Sequence, residues 1–423
     1  MRSSVGEAVA DAPAVPVSTV RVPYLALAVI GLGGLFSGVT GPLVSAFVPP
    51  LVQDVVGDRR TLIGAIMAID NVLLLLLVPW AGGASDRASA RGRGRLGLVI
   101  AGFILASAGM ALVVSPLAAG AAGLIATLVV LHTGINVQRS PFQALMADAV
   151  PSRYRALATG SMTFQMCVGA IVFLMLGQVL GMRPAYIIAA GTVLAIAVAV
   201  AITIRTPVTV SSGASEATFR SLFDAGWSAI RGSIPGLRAI FVASLLLQLT
   251  FQSFTTWYSL HGIERFGVRP EDVTFGLIAW ATGGVIGALP AGVIGTRIGR
   301  RNTMLLGFGL MVILLIALDR VTTIGQSVPL LMLTSACWTL PTVSAYPLFV
   351  EQVPAARRGV LAALYLLSMA LGGAIGDPLN GALFDLAGSY RPLFTLMTTY
   401  AGLAFLAVLF VPRGVGEAGS ASA

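Results

Sequence analysis

The stretch Thr61–Arg95 reads TLIGAIMAIDNVLLLLLVPWAGGASDRASARGRGR and sets Asp70 and Asn71 in the middle of an apolar run long enough to span a bilayer. A charged side chain at membrane depth costs at least about 2.5–3.5 kcal/mol on insertion scales, so a chain that keeps one there uses it. The chemistry available to Asp70 is to take up and release a proton or cation. A second run, 119–143, carries His132, Asn136, Arg139 and Gln143. At 1.5 Å per residue Asp70 lies about 17 Å from the inner end of its run, and Asn136 and Arg139 about 14–18 Å from theirs. The shared depth predicts that Arg139 neutralises Asp70. Two readings of that pair stand. Either Asp70 carries the coupling ion, switching between paired and unpaired environments, or the pair is a static buried salt bridge or an Asp70–Asn71 helix contact. His132, one turn from Asn136, either relays a proton in the range where imidazole titrates or makes a structural hydrogen bond.

Amides and aromatics elsewhere suit a small polar solute. One run sets Gln248 and Gln252 near Thr255, Thr256 and Trp257, and another sets Trp338 and Thr339 near Ser344 and Tyr346. With Asn71, Asn136 and Gln143, the deeper Gln248, Gln252 and Trp338 are the expected substrate-binding side chains. Trp257, Tyr258 and His261 fall toward a span end and are expected to be interface anchors. Asp377, in Gly372-x-x-x-Gly376-Asp377-Pro378-x-x-Gly381, is placed about 27 Å along its span. That is near the outer surface, as an outer-gate residue or a helix-end aspartate. The small residues around it suit close packing and a bend.

The elements that must position these residues are membrane spans. Of the 423 residues, 57% are hydrophobic and 10% charged, well outside soluble usage, and apolar runs of roughly 20 residues match the hydrocarbon thickness. Twelve spans are expected, at 22–48, 61–81, 96–116, 119–143, 156–180, 184–204, 237–261, 273–295, 303–319, 328–350, 359–383 and 392–412. All 26 basic residues are arginine, and eighteen fall in segments on one side against seven on the other: Arg59, Arg60, Arg183, Arg265, Arg269, Arg320 and Arg391. Arginine-rich loops stay inside, so both termini are expected in the cytoplasm of a plasma-membrane protein. A net charge of +9 spread this way is a topology signal, and no nucleic-acid partner is expected. Cys167 and Cys337 both fall within spans, so neither a disulfide nor a metal site is indicated.

The domain reading is a disordered tail at 1–21, a six-helix bundle at 22–204, a linker at 205–236, a second bundle at 237–412 and a tail at 413–423. In the linker, Phe219, Leu222, Phe223, Trp227 and Ile230 recur at helical spacing, which predicts an amphipathic helix on the inner membrane surface or a plain connecting helix. The two bundles echo each other. Gly82–Arg87 has a counterpart in GVIGTRIGRRN at Gly292–Asn302, and Asp148-Ala-Val-Pro151 with Arg155 matches Glu351-Gln-Val-Pro354 with Arg358, 203 residues later. Two loop signals recurring in the same order imply two halves built alike.

Twelve spans, a central loop and Gly82-x-x-Ser85-Asp86-Arg87 after the second span resemble the major facilitator superfamily. The resemblance implies an all-α membrane fold of two pseudo-symmetric six-helix halves and transport by alternating access. The motif is expected as a Gly-rich turn where Asp86 and Arg87 latch onto Asp148 and Arg155, closing the cytoplasmic mouth in one state; the other reading is that these charges orient loops. In the second half Thr296 replaces the aspartate while Arg297, Glu351 and Arg358 remain, so a weaker latch is expected there. Within the superfamily, Asp70-Asn71 before Pro79, together with Asn136 and Pro141–Asp148, is similar to the sucrose-transporter-like and glycoside–pentoside–hexuronide cation symporters. Plant-type sucrose carriers have arginine where this chain has Gln143 and aspartate where it has His132; here the arginine is Arg139. The resemblance implies proton-coupled symport of a small polar solute such as a sugar or glycoside, by a monomer with no cofactor and H+ as coupling ion. Proton-driven drug or metabolite efflux, and a receptor or scaffold that moves nothing, are the alternatives. The chain has no phosphate-binding loop, metal-ligand cluster or nucleophile–base spacing, so neither an enzyme nor an ATP-driven pump is expected.

Overall fold

The computed structural model describes residues 24–92, 94–150, 154–204, 231, 236–350 and 358–412. The two tails, nearly all of the 205–236 linker with its amphipathic stripe, and Glu351 lie outside the described residues, as do the side chains of Arg155 and Arg358.

The described chain is helical nearly throughout: α1 (Tyr24–Val56), α2 (Arg60–Met67), α3 (Ile69–Ala90), α4 (Leu96–Val113), α5 (Ala121–Ala149), α6 (Arg155–Leu180), α7 (Met182–Thr203), α8 (Leu237–Phe266), α9 (Thr274–Ile298), α10 (Arg300–Leu318), α11 (Ile324–Val350), α12 (Arg358–Ala387) and α13 (Leu393–Leu409). Helices are the form that satisfies every backbone polar group within one segment, which hydrocarbon demands. Counting α2 with α3 as one, nine described spans are long and apolar enough to cross a membrane, and α9 adds a bent tenth.

Packing repeats between halves. In the first half α1 lies on α6 and α7, α4 on α5 and α7, and α3 on α5. In the second half α8 lies on α12 and α13, α10 on α11 and α13, and α9 on α11. Advancing each first-half pair by six spans reproduces a second-half pair, as a duplicated six-span unit requires. The chain is an all-α multi-pass membrane protein with this twelve-span, two-half architecture.

Several helices run beyond their expected ends, α1 and α3 by the most. α1 continues through Pro49 and Pro50 to Val56, because neighbouring helices re-satisfy backbone groups that a proline frees. The expected Gly-rich turn at Gly82 is not a turn: α3 runs through Gly82 and Gly83 to Ala90. The glycine serves close packing instead, since a Cβ on Gly82 would lie 2.8 Å from Ser140 Oγ on α5. The second span is interrupted at Ala68, between α2 and α3, two residues before Asp70.

The connections holding the seven less numerous arginines mark an arginine-poor face, where the two halves are shut against each other. α2 lies on α12 so closely that a Cβ on Gly64 would be 2.2 Å from the Asp377 carbonyl oxygen, and one on Gly381 would be 2.4 Å from the Arg60 carbonyl oxygen. Ser259 Oγ on α8 donates to the Ser45 carbonyl on α1 at 3.4 Å.

Candidate functional site

Asp70 is held by α5. His132, Asn136, Arg139 and Gln143 recur at intervals of four, three and four residues, which puts them on one stripe of that helix. The upper part of the stripe is buried against α3. Asn136 Nδ2 donates to Asp70 Oδ1 at 2.9 Å and reaches the Asp70 backbone carbonyl at 3.4 Å, next to the helix interruption. His132 Nδ1 lies 2.9 Å from the same carboxylate oxygen, off the line of a straight hydrogen bond. The Asp70 side chain keeps 36% of its surface exposed against 7% for His132, so the carboxylate is clamped on one side and open on the other.

The lower part of the stripe is different. Arg139 and Gln143 are exposed, and no carboxylate oxygen among the described residues lies within ion-pair distance of Arg139. The expected Asp70–Arg139 pair is therefore not what the structure shows; His132 is the contact. Depth explains the difference. The second span begins at Arg60 and α5 at Ala121, so Asp70 and His132 lie about 15 and 17 Å from the arginine-poor ends of their helices and Arg139 about 27 Å. Counting from a supposed inner end at 81, when the helix runs to Ala90, shifted Asp70 about two and a half turns toward Arg139.

On the second half, α12 carries adjacent glycines that bring two expected substrate-binding amides together. A Cβ on Gly372 would lie 2.8 Å from Gln248 Cβ, and one on Gly373 would lie 2.2 Å from Asn71 Oδ1. Trp338 is half-buried and stacks on Phe251, with centroids 4.9 Å apart and planes at 20°. Asp377 is not near the surface: it is fully buried, ten residues short of the end of α12, level with Gly64. Its Oδ2 accepts from Gln252 Nε2 at 2.8 Å, while Oδ1 has no partner. The helix-end reading of Asp377 is excluded by this position. Trp257, Tyr258 and His261 are not interface anchors either, being fully buried in the protein. Trp257 packs against Phe384 and Tyr390, and His261 Nδ1 is 2.9 Å from the Tyr390 carbonyl. Length counting placed them at a membrane boundary, but α8 extends to Phe266 and is enclosed by α1, α12 and α13.

At the arginine-rich face the acidic groups of the expected latch meet, but through a different cation. Arg95, the N-cap residue of α4, pairs with Asp86, reaches Asp148 Oδ2 through Nε at 2.8 Å and Ser85 Oγ at 3.2 Å. The two carboxylates raise its proton affinity against the opposing effect of burial. Arg87 and Arg297 are exposed. The Arg95 cluster joins α3, α4 and α5 of one half, so it braces that half. Four arginines crowd 87–95, and only Arg95 directly precedes a helix; that adjacency was its one signal in the sequence.

A latch that the sequence did not reveal closes the arginine-poor face. The N-cap residue of α2, Arg59, makes no side-chain cap. Asp385 of α12 caps it instead, accepting from Arg60 N at 3.0 Å, Thr61 N at 2.8 Å and Thr61 Oγ1 at 2.5 Å. Arg60 also donates to the Gly388 carbonyl at 3.1 Å and lies 4.7 Å over the Tyr390 ring. What little burial Asp385 has pushes its pKa up, but the Thr61 and Arg60 hydrogen bonds hold it below the usual carboxylate range. A depressed folded-state pKa contributes stability that is present above the ordinary carboxylate range and lost as pH falls through the lowered value. The side chain is 37% exposed, so after screening the cap is worth on the order of 1 kcal/mol. Asp385→Ala should therefore shift the population toward opening at this face by about fivefold. Electron–electron distance measurements between spin labels at Asp58→Cys and Arg391→Cys, in a Cys167→Ser/Cys337→Ser background, read that shift as a longer distance; an unchanged distribution would remove the latch from the gating account.

Comparison with known proteins agrees with this architecture. The Major Facilitator Superfamily profile matches residues 30–285 and 263–422. No curated protein matches the chain by sequence. Among solved structures, a D-xylose–proton symporter is similar at 16% identity and a TM-score of 0.69, covering 93% of this chain and 99% of its own. A bacterial homologue of the human lysosomal transporter Spinster, inward-facing and unoccupied, is similar at 14% identity and 0.69, covering 92% and 95%. The nucleoside transporter NupG is similar at 12% and 0.70, covering 92% and 100%. Two like halves, shut at one face around a span-two carboxylate and matched along nearly their whole length by one profile, place the chain in a single family: it belongs to the major facilitator superfamily of membrane transporters.

Proposed function

We propose that the protein is a proton-coupled symporter of a small polar solute, working by alternating access. The observation that carries this reading is Asp70: a carboxylate at membrane depth, clamped by His132 and Asn136 on one side and open on the other. A static salt bridge has no need of an exposed edge, whereas an ion carrier must meet water in at least one state. The molecule shut at its arginine-poor face supplies one end of the cycle. Parting α2 from α12 would uncover Asp377, which supports an outer-gate role for it. Asn71 and Gln248, packed on the adjacent Gly373 and Gly372 of α12, with Gln252 and Trp338, are the solute contacts in this reading.

The branch is that of the glycoside–pentoside–hexuronide and sucrose-type symporters, on the strength of Asp70-Asn71 and the span-four motif, so sugars and glycosides are the first solutes to test. A D-xylose–proton symporter among the similar structures supports that choice. The arginine distribution supports a multi-pass plasma-membrane protein with both termini cytoplasmic and no nucleic-acid partner, and a monomer is the state that membership of the superfamily implies. The test uses proteoliposomes with a pH-sensitive dye inside and a panel of sugars and glycosides outside. Solute-dependent acidification of the lumen is expected. Counterflow of an amphiphilic drug, with no solute moving protons inward, would replace symport by efflux.

A further inference from the structure

Arg139 has no carboxylate partner among the described residues, and that is the least expected feature of the interior. It lies two turns from His132 on the same stripe of α5, about 15 Å from the arginine-rich end of the helix. The face that holds Arg139 and Gln143 is bounded on both sides by packed helices: Ser140 meets Gly82 of α3 and Phe142 meets Gly33 of α1, and Arg139 points between those two contacts. Arg139 therefore opens into the space between the halves. A guanidinium at such depth is retained when something negative meets it. Asp70 is within electrostatic reach, but its Oδ1 is already taken by His132 and Asn136. The other ionisable group near this crossing, Asp377 of α12, is sealed beneath α2. At this depth α8 presents the amides Gln248 and Gln252, while its ionisable groups lie toward its ends: Arg238 at one, and His261, Glu264 and Arg265 at the other, held by Tyr390, Ser389 and the Asp319 and Val321 carbonyls.

We infer that the transported solute is a small organic anion bearing a carboxylate, anchored by Arg139. This rests on the proton-symport reading and narrows its solute. The guanidinium fork matches a carboxylate in two parallel hydrogen bonds, which a neutral hydroxyl cannot. The charge balance then gives the coupling. While the Asp70–His132 pair carries one net negative charge, it cancels Arg139 and the site has no need of an anion. One proton added to the Asp70–His132 pair leaves Arg139 as net positive charge, so proton and anion load together. The loaded site is neutral, and the carried proton plus anion move no net charge.

The test is tracer and proton uptake by proteoliposomes clamped at zero and at about 100 mV. The probes are gluconate, quinate and pyruvate, each against its neutral counterpart, sorbitol, quinamide and pyruvamide. At least one anion should enter with protons at the same initial rate at both potentials, and its neutral counterpart should not. Arg139→Gln should lower anion uptake by about tenfold or more, and Arg139→Lys should keep part of it, since it retains charge and loses the fork. Uptake of a neutral probe with protons, with Arg139→Gln within about twofold of wild type, would overturn the anion inference and leave symport standing. Anion counterflow without proton movement would do the reverse. Failure of all three anions to move, in vesicles whose protein keeps its wild-type melting transition, also overturns it.

Discussion

Asp70→Asn is expected to abolish accumulation while leaving exchange intact. Asparagine keeps the shape and the acceptor oxygen that Asn136 reaches at 2.9 Å, so the α3–α5 contact and the fold survive. It loses the ability to take up a proton, and with it the link between the proton gradient and the solute. At a gradient of about two pH units, one coupled proton supports about hundredfold accumulation, since each unit is a factor of ten. The variant should equilibrate at about onefold, a loss of about two orders of magnitude read from the steady-state tracer level. Solute counterflow, which needs no net proton movement, should stay within about threefold of wild type. Loss of both activities together would make Asp70 a structural ion-pair partner, the reading that the exposed edge of its carboxylate argues against.

Gly64→Val should be nearly as severe for a different reason. A Cβ at this position would sit 2.2 Å from the Asp377 carbonyl oxygen, a backbone atom on the opposite half. No rotamer change relieves a clash with backbone, and two helices in contact do not deform continuously. The variant cannot shut the arginine-poor face, yet each half packs as before, because the clash lies only between them. Turnover should fall by about a hundredfold or more, with the Asp58–Arg391 spin-label distance fixed at its long value. Gly41→Ala is the control: the added methyl meets nothing within 4 Å, and alanine in a helix is favoured over glycine by roughly 0.5–1 kcal/mol. Wild-type turnover in Gly64→Val would mean that the α2–α12 seam never needs to close.

The parts of this architecture that were legible in the sequence are those that depend on local composition. Spans show as apolar runs, the duplicated half shows as a recurring loop motif, and Asp70 stands out because a charge is rare in such a run. The partner of Asp70 was misread because depth was measured from a helix end that lies nine residues further on, at Ala90. A helix that overshoots its apolar run leaves no mark in hydropathy. The gate was harder still. Asp385 and Arg60 are separated by 325 residues, and nothing local distinguishes this aspartate from others at helix ends. Gly64 and Gly381 are two of 49 glycines, and glycine is common in membrane helices generally, so only the crossing of α2 and α12 reveals which ones must stay small.

The most direct measurement of the central claim is to count protons and solute molecules entering the same vesicles, in wild type and in Asp70→Asn. Wild type should give a fixed ratio near one, independent of the size of the pH gradient, and Asp70→Asn should give solute exchange with a ratio near zero. An unchanged ratio in the variant would move the coupling site elsewhere, and a ratio of zero in wild type would contradict proton symport itself.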